Sequence, residues 1–135
     1  MIINNGSFRD PLGRVYEKNN KVFRKVNNDY FKFCNRFLSS NFFQENKKKL
    51  IVDTKLIEPI DVGFKEDTST TFWLEHEKIK FISYPHEWSF ETLKKAAIFH
   101  LRLQKKAILS GFFIKDASPY NIQFKMREPI FIDLL

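Results

Sequence analysis

The chain has 135 residues, a formal net charge of +7 and 43% hydrophobic residues, among them 16 Phe. A chain of this length forms one domain of ordinary size, and its apolar, aromatic composition excludes intrinsic disorder. The single cysteine, Cys34, excludes an intrachain disulfide, and its Phe neighbours in the sequence predict a small buried core residue.

The first predicted element is a β-hairpin with strands over residues 13–18 and 21–26. Asn19 and Asn20 form its turn, because Asn tolerates the left-handed backbone of a tight hairpin. A helix follows, capped by Asn28 or Asp29 and running to about Asn46. Apolar residues recur along it at the spacing of one helical face, which predicts a core-facing stripe. They are Tyr30, Phe33, Cys34, Phe37, Leu38 and Phe42.

The middle of the chain reads as strands and loops. The sequence "LIVDTKLIEP" supplies one short strand, and the Gly, Asp, Thr and Ser content of "IDVGFKEDTSTT" indicates a loop. Two further runs, 71–75 and 78–84, predict a second hairpin around a polar turn at His76 and Glu77.

The last third predicts a long helix followed by a hairpin. Ser89 is the expected N-cap and Gly111 the C-terminal stop, while strands are expected over 121–124 and 129–132. His100 faces the apolar side of the helix, where we expect a hydrogen-bonded core residue. The predicted helix face comprises Leu93, Ala96, Ala97, His100, Leu101, Gln104, Ala107 and Ile108. The order of hairpin, helix, strands, helix, loop and hairpin is typical of an α+β fold.

Three polar residues near the carboxyl end suggest chemistry. Asp116 lies in the loop after the long helix, Asn121 begins one predicted strand, and Asp133 follows its partner strand. A hairpin brings its two ends together, so Asn121 and Asp133 can offer oxygen ligands to Mg²⁺. Asp116 is then in position to orient an attacking hydroxyl or accept its proton. The alternative is that these loop residues only cap turns.

The sequence "DASPYNIQF", followed by "IFID", resembles the catalytic loop and metal-binding aspartate of the protein-kinase-like superfamily, especially its aminoglycoside-phosphotransferase branch. The resemblance implies that Asp116 is catalytic, that Asn121 and Asp133 hold Mg²⁺, and that ATP is the nucleotide. Lys25 is the corresponding candidate for the phosphate-binding lysine. The implied fold is a small lobe of hairpin, helix and antiparallel strands over 1–84, followed over 85–135 by the first helix, catalytic loop and hairpin of a large lobe.

The segments "SFRDPLGRVY", "ISYPHEWSF" and "KDASPYNIQF" also resemble the N-terminal region of certain larger bacterial proteins classed as SAM-dependent methyltransferases. This resemblance implies that residues 1–135 are a truncated kinase-like module of a larger enzyme. A C-terminal domain or a second copy of the chain would complete its core. We expect the chain alone to be inactive, whether the site in the larger enzyme is active or degenerate.

The expected partners follow from charge and motifs. The positive charge suits a nucleotide or another phosphorylated small molecule, whereas no nucleic-acid recognition motif is present. The alternative to a kinase-like module is a non-catalytic basic module that contacts nucleic acid or a protein partner. The sequence contains neither an apolar stretch of membrane-spanning length nor a signal-peptide pattern, so we expect a cytoplasmic protein without membrane contact.

Overall fold

The computed structural model describes residues 2–3, 13–58, 70–116 and 118–134. Within them the chain forms seven strands and three helices, which confirms the predicted α+β class. In chain order the elements are β1 (Ile2–Ile3), β2 (Gly13–Lys18), β3 (Lys21–Asn27), α1 (Phe31–Leu38), α2 (Asn41–Asn46), β4 (Thr54–Ile57), β5 (Thr71–His76), α3 (Phe90–Leu109), β6 (Ile122–Lys125) and β7 (Glu128–Phe131). No helix in the described ranges is long and apolar enough to cross a membrane.

The described residues divide into two compact units. The first comprises those within 1–40 and 53–78, and the second those within 41–52 and 79–135. Residues 41–52 therefore group with the C-terminal part of the chain and not with the strands that precede and follow them in sequence. The division at residue 84 implied by the kinase resemblance stays a prediction.

The first unit contains a five-stranded sheet in the order β1-β2-β3-β5-β4, with every neighbouring pair antiparallel. The predicted first hairpin is confirmed, since β2 and β3 pair from Gly13 with Val26 to Lys18 with Lys21. Asn19 and Asn20 have φ angles of 49° and 60°. Asn is one of the few residues besides Gly that adopts this left-handed conformation readily, which is why the turn could be predicted.

The two faces of this sheet bury different side chains. On one face Phe23 and Trp73 form a buried cluster with Tyr16 and Ile57. Helix α1 packs on the other face, where the Phe31 and Phe72 rings meet edge to face at 5.4 Å. The predicted burial of Cys34 is confirmed, and burial raises the pKa of its thiol to about 11. The thiol is therefore protonated and unreactive at neutral pH.

The prediction of one continuous helix to Asn46 is wrong. Helix α1 ends at Leu38, and α2 begins only at Asn41. Ser40 donates to the carbonyl oxygen of Phe37 through both its amide and its hydroxyl, the latter at 2.6 Å. Ser side chains compete in this way for helical carbonyls and favour helix ends. The predicted cap at Asn28 or Asp29 is also wrong, because these residues belong to a 3-10 turn, Asn28–Tyr30, that precedes α1. Asn27 caps that turn, and its Oδ1 accepts from the amide of Asp29, whereas Tyr30 at the N-cap position of α1 makes no side-chain capping bond.

The second unit contains α3 and the β6–β7 hairpin. This predicted hairpin is confirmed, with each strand displaced by one residue and a turn at Met126 and Arg127. Strand β7 also bonds to the segment after α2, because the Phe131 amide donates to the Leu50 carbonyl and the Val52 amide to the Phe131 carbonyl. Buried residues beside these bonds form an apolar cluster of Val52, Ile79 and Ile130.

The second predicted hairpin, 71–75 with 78–84, is wrong. Strand β5 forms, but it pairs with β3 and β4, while residues 78–84 are irregular. Ile79 is buried whereas Phe81 and Ile82 are both exposed, so the segment lacks the alternation of a half-buried strand. The short strand predicted between residues 50 and 59 is confirmed as β4.

The predicted inner face of α3 is displaced around the helix. Its buried residues are Ala96, Phe99, His100, Leu103 and Ala107. Of the predicted face, four residues are exposed instead: Leu93, Ala97, Leu101 and Ile108. The helix carries apolar residues on opposite sides, so periodicity alone does not select the face that is buried.

Candidate functional site

Helix α3 delivers the chain into the loop that contains Asp116. Ser89 caps the helix by accepting from the Thr92 amide, as predicted. At the other end Gly111 has a φ angle of +77°, and the Phe112 amide donates to the Ala107 carbonyl at 2.9 Å. A Cβ at Gly111 would meet no atom within 4 Å, so the left-handed backbone conformation and not space favours glycine there.

The segment just before Asp116 is tied back to the helix. The Ile114 amide donates to Oε1 of Gln104 at 3.0 Å. Gln104 lies on α3, an element with continuous backbone hydrogen bonds, so this contact fixes the start of the loop relative to the helix. Gln104 thereby sets the position of Ile114, two residues before Asp116. From the sequence, Gln104 was predicted only as a member of the apolar helix face.

Two short turns organise the loop around Asp116. Oδ1 of Asp116 accepts from the Ser118 amide at 2.9 Å, and the Ser118 hydroxyl accepts from the Tyr120 amide at 3.3 Å. Pro119 then begins a single turn of 3-10 helix that ends at Asn121. Proline suits this first position because it has no amide hydrogen to satisfy. The Asp116 side chain is exposed, so one carboxylate oxygen is used in the turn while the group remains accessible.

Asn121 is bonded directly to the backbone of Asp116. Its Nδ2 donates to the Asp116 carbonyl oxygen at 3.5 Å, which is a long contact at the limit of a hydrogen bond. With the amide nitrogen turned toward Asp116, the Oδ1 atom is directed elsewhere. Asn121 is half-buried.

Asp133 follows the residue that bonds to Asn121. The β6–β7 pairing ends at Ile122 opposite Phe131, and one step further the Ile132 amide donates to the Asn121 carbonyl oxygen at 2.9 Å. Asp133 is half-buried. Asp116 and Asn121 are thus in contact, and the backbone of Asn121 is bonded to the residue before Asp133.

A buried side-chain amide fastens the hairpin on its β6 side. Gln123 accepts at Oε1 from the Ser83 amide at 3.0 Å and donates from Nε2 to the Ser83 carbonyl at 3.1 Å. The Ser83 hydroxyl accepts from Trp88 Nε1 at 2.9 Å, and the Trp88 ring meets Phe124 edge to face. Sequence analysis missed Gln123. The available signal was a Gln between Ile122 and Phe124 within a predicted strand.

Lys25 lies in the first unit, on β3, and is half-buried. Its neighbour Arg24 points to the opposite face of the sheet and is buried on the α1 side, where its charge lowers the pKa of Cys34 against the larger effect of burial. Burial, followed by the Arg24 charge, also lowers the pKa of His76 to about 3. His76 lies on β5 with Nδ1 at 2.8 Å from the Thr54 hydroxyl oxygen. This imidazole is neutral at physiological pH.

His100 differs from its prediction. The side chain is buried, at 9% exposure, but neither ring nitrogen has a hydrogen-bond partner among the described residues. Its ring meets that of Phe131 edge to face, with centroids 6.0 Å apart. Burial lowers the pKa of His100, and the negative charge of Asp116 acts in the opposite direction. The imidazole lies within electrostatic reach of Asp116, but the expected hydrogen bond is absent.

Across the described ranges, no group of three or more His, Cys, Asp or Glu residues is arranged to hold a metal ion. The set that the sequence predicts is of another kind, because it combines the carboxylates of Asp116 and Asp133 with the carboxamide of Asn121. The donors of the predicted set are hard oxygen atoms, which suit Mg²⁺ better than a transition metal.

The chain is similar over nearly its whole length to part of a longer protein. The chain is 34% identical over 136 aligned residues to the nodulation protein NoeA of Rhizobium meliloti (strain 1021). The alignment covers 96% of the chain and 27% of that protein, so the chain spans about a quarter of its relative. No described protein family matches the chain, and no solved structure matches it.

Proposed function

We propose that this chain is a kinase-like module that binds Mg²⁺ and the phosphates of a nucleotide such as ATP at the open end of the β6–β7 hairpin. In this proposal Asn121 and Asp133 hold the ion, and Asp116 acts on the attacking hydroxyl. The hydrogen bond from the Ile132 amide to the Asn121 carbonyl carries the proposal, because it holds the residue next to Asp133 against Asn121.

The donor chemistry of the two ligands supports magnesium. Mg²⁺ is usually bound by one or two protein oxygen ligands, with water and substrate phosphate completing its shell. Because Nδ2 of Asn121 is directed to the Asp116 carbonyl, Oδ1 is the amide atom left for an ion. When bound, the ion supplies positive charge that offsets the charge of the phosphates.

The geometry of Asp116 is compatible with handling a proton. Oδ1 accepts from the Ser118 amide, which orients the carboxylate, and in the proposal Oδ2 accepts a hydrogen bond from a substrate hydroxyl. The exposure of this side chain allows a substrate to reach it. In this role Asp116 orients the hydroxyl and takes its proton as the oxygen attacks phosphorus.

The kinase resemblance implies that the first hairpin supplies the strands that cover the nucleotide. Its turn is Asn19-Asn20, and the sequence contains no G-x-G-x-x-G motif in this region. The backbone cradle that a Gly-rich loop gives to phosphates is therefore missing from the sequence. Binding of the nucleotide then depends strongly on the ion, with Lys25 as the proposed phosphate-binding cation.

The proposal places this module within a larger enzyme, as the methyltransferase resemblance implies. The five-stranded antiparallel sheet with α1 is what a kinase-like small lobe requires. The similarity to the nodulation protein also supports this view, because most of that longer protein lies outside the matched segment. The phosphate acceptor and any methyl transfer would belong to the whole enzyme.

The test is thermal or chemical unfolding of the chain with ATP, with and without MgCl₂. A ligand that binds only the native state at about 100 times its Kd raises the free energy of unfolding by about 2.7 kcal/mol. We expect this gain only when ATP and Mg²⁺ are both present. Asp133→Asn should abolish the gain, whereas Asp116→Asn should retain it because Asp116 does not hold the ion.

Asp29→Asn is the matched control, since it makes the same chemical change at an exposed position in the first unit. It should leave the response to ATP and Mg²⁺ unchanged. The proposal fails if wild-type chain gains no stability from ATP and Mg²⁺, or if Asp133→Asn responds as wild type does. A salt-sensitive gain with RNA or DNA instead would favour a basic nucleic-acid-binding module.

A further inference from the structure

Helix α3 is apolar on two opposite sides. One side is buried, and its His100 ring packs against Phe131 of β7. The other side exposes large aliphatic residues, with Leu101 at 71% and Leu109 at 78% exposure. We define the outer stripe of α3 as Ile98, Leu101, Ile108 and Leu109. Several exposed aliphatic residues along one helix face form the kind of apolar patch that another element covers.

Basic residues are interleaved with this stripe. Successive residues of a helix are rotated by about 100°, so the outer stripe consists of two rows, one of Leu101 and Ile108 and one of Ile98 and Leu109. Lys94 and Lys105 lie between these two rows. Both lysines are exposed, and neither forms a salt bridge with a residue that the structure describes. The centre of the outer stripe is therefore positively charged, and its two sides are apolar.

We propose that the outer stripe binds an acidic amphipathic helix, whose apolar residues cover the two aliphatic rows and whose Asp or Glu residues pair with Lys94 and Lys105. From Ile98 to Leu109 the helix rises by about 16 Å, which is the length of roughly three turns of a partner helix. Apolar anchors at helical spacing with complementary charges between them are the usual basis of helix-to-helix recognition.

The charge pattern argues against a second copy as the occupant. A two-fold dimer through the same surface would bring the lysines of both copies onto one interface. An acidic helix is the occupant that neutralises them in place.

The proposal can be tested by selection from a displayed peptide library. The library fixes Leu at helical i, i+3 and i+7 positions and randomises the others, and it is selected against the full 135-residue chain. We expect strong enrichment of Asp and Glu between the fixed leucines. Selection against the Lys94→Glu/Lys105→Glu double variant should enrich Lys and Arg instead, and that variant should bind the acidic peptides at least about tenfold more weakly.

Leu101→Ser/Ile108→Ser should also abolish binding, while Met126→Ser, at a 97% exposed position on the β6–β7 turn, is the matched apolar control and should not. The proposal is overturned if no acidic sequences are enriched, or if both charge forms select the same peptides. Lysine-dependent binding to phosphatidylserine vesicles in place of peptide, or concentration-dependent dimerisation lost in Leu101→Ser, would also overturn it. None of these outcomes depends on the proposed magnesium site.

Discussion

The β2–β3 and β6–β7 hairpins are both closed by two-residue turns, but they are held in different ways. Strand β3 is fully paired on both edges, with β2 on one side and β5 on the other. The β6–β7 hairpin pairs four residues with four, and among the described residues the other edge of β7 meets a short bridge at Ile51. A two-stranded ribbon is marginally stable by itself.

The comparison indicates what positions the candidate site. The first hairpin is fixed by its sheet, whereas the second is held by apolar packing of Ile130, by the backbone bonds of Phe131 to Leu50 and Val52, and by polar side-chain contacts. Gln123 bonds to both backbone groups of Ser83, and Lys95 bonds to the Arg127 carbonyl and the Glu128 carboxylate. Asn121 and Asp133 lie at the open end of this second hairpin, so loss of a few polar contacts should disturb the site before it disturbs the fold.

The largest expected difference is in the loss of stability when an aromatic residue is removed from each hairpin. Phe23→Ala on β3 should lower the free energy of unfolding by about 3–5 kcal/mol, because the ring is buried against Trp73. Phe124→Ala on β6 should cost about 1–2 kcal/mol, since Phe124 is half-buried and loses mainly its contact with Trp88. Urea unfolding of the two variants measures both values. Equal losses would contradict the view that the hairpins are held differently.

The next effect concerns acid stability in the first sheet. The pKa of His76 is lowered to about 3 in the native state, by burial and then by Arg24, from the ordinary value of 6.5. Between those two pH values the unfolded chain binds more protons, so stability must fall as the pH is lowered. From pH 7 to pH 4 we expect a loss of about 3 kcal/mol from this group.

His76→Gln provides the comparison for that prediction. Glutamine keeps a polar side chain near the Thr54 hydroxyl but does not titrate. The variant should be less stable at neutral pH and should lose less stability on acidification, as measured by urea unfolding at several pH values. An unchanged slope against pH would show that His76 is not the titrating group.

A smaller effect is expected from the amide that fastens the second hairpin. Gln123→Ala leaves the amide and carbonyl of Ser83 without their partner, which should cost about 1–3 kcal/mol because this region is partly buried. It should also weaken magnesium-dependent ATP binding, measured by calorimetry, although in the proposal Gln123 contacts neither Mg²⁺ nor ATP. Gln44→Ala on the exposed side of α2 is the control. Unchanged ATP binding with lowered stability would mean that the pair has no part in positioning the site.

The smallest effect concerns the two turns. Met126 has a φ angle of 61°, a conformation that costs a residue with a side chain about 1–2 kcal/mol. Met126→Gly should therefore raise stability by about 0.5–1 kcal/mol after the entropy of the unfolded chain is included. Asn20→Gly, at a φ angle of 60°, should gain less because Asn already tolerates this region. A larger gain at Asn20 would reverse the comparison.

Local chemistry explains which elements were predictable. The Asn19-Asn20 turn, the Ser89 cap and the Gly111 stop each follow from the preference of one residue for one backbone conformation. The break between α1 and α2 was missed because the apolar residues on both sides of Ser40 continue one helical face. The expected strand 78–84 was missed because pairing depends on the partner strand, and β5 pairs elsewhere.

The candidate site was predictable in part for the same reason. The spacing of Asp116, Pro119 and Asn121 specifies a turn and the start of a strand, and both form. The pairing of Gln123 with Ser83, forty residues earlier in the chain, has no local signal. Nor could the sequence reveal that His100 is buried without a hydrogen-bond partner in the part of the chain that the structure describes, because polarity alone does not identify a partner.

The grouping of residues 41–52 with the C-terminal unit has a consequence for the gene. Each unit is assembled from two separate stretches of the chain, so no single cut in the coding sequence yields either one whole. A clone beginning at residue 79 would lack the Leu50 and Val52 backbone groups that bond to Phe131. Recombination that exchanges the second unit between relatives would have to carry two separate stretches of coding sequence, those for residues 41–52 and 79–135, and leave the stretch between them in place.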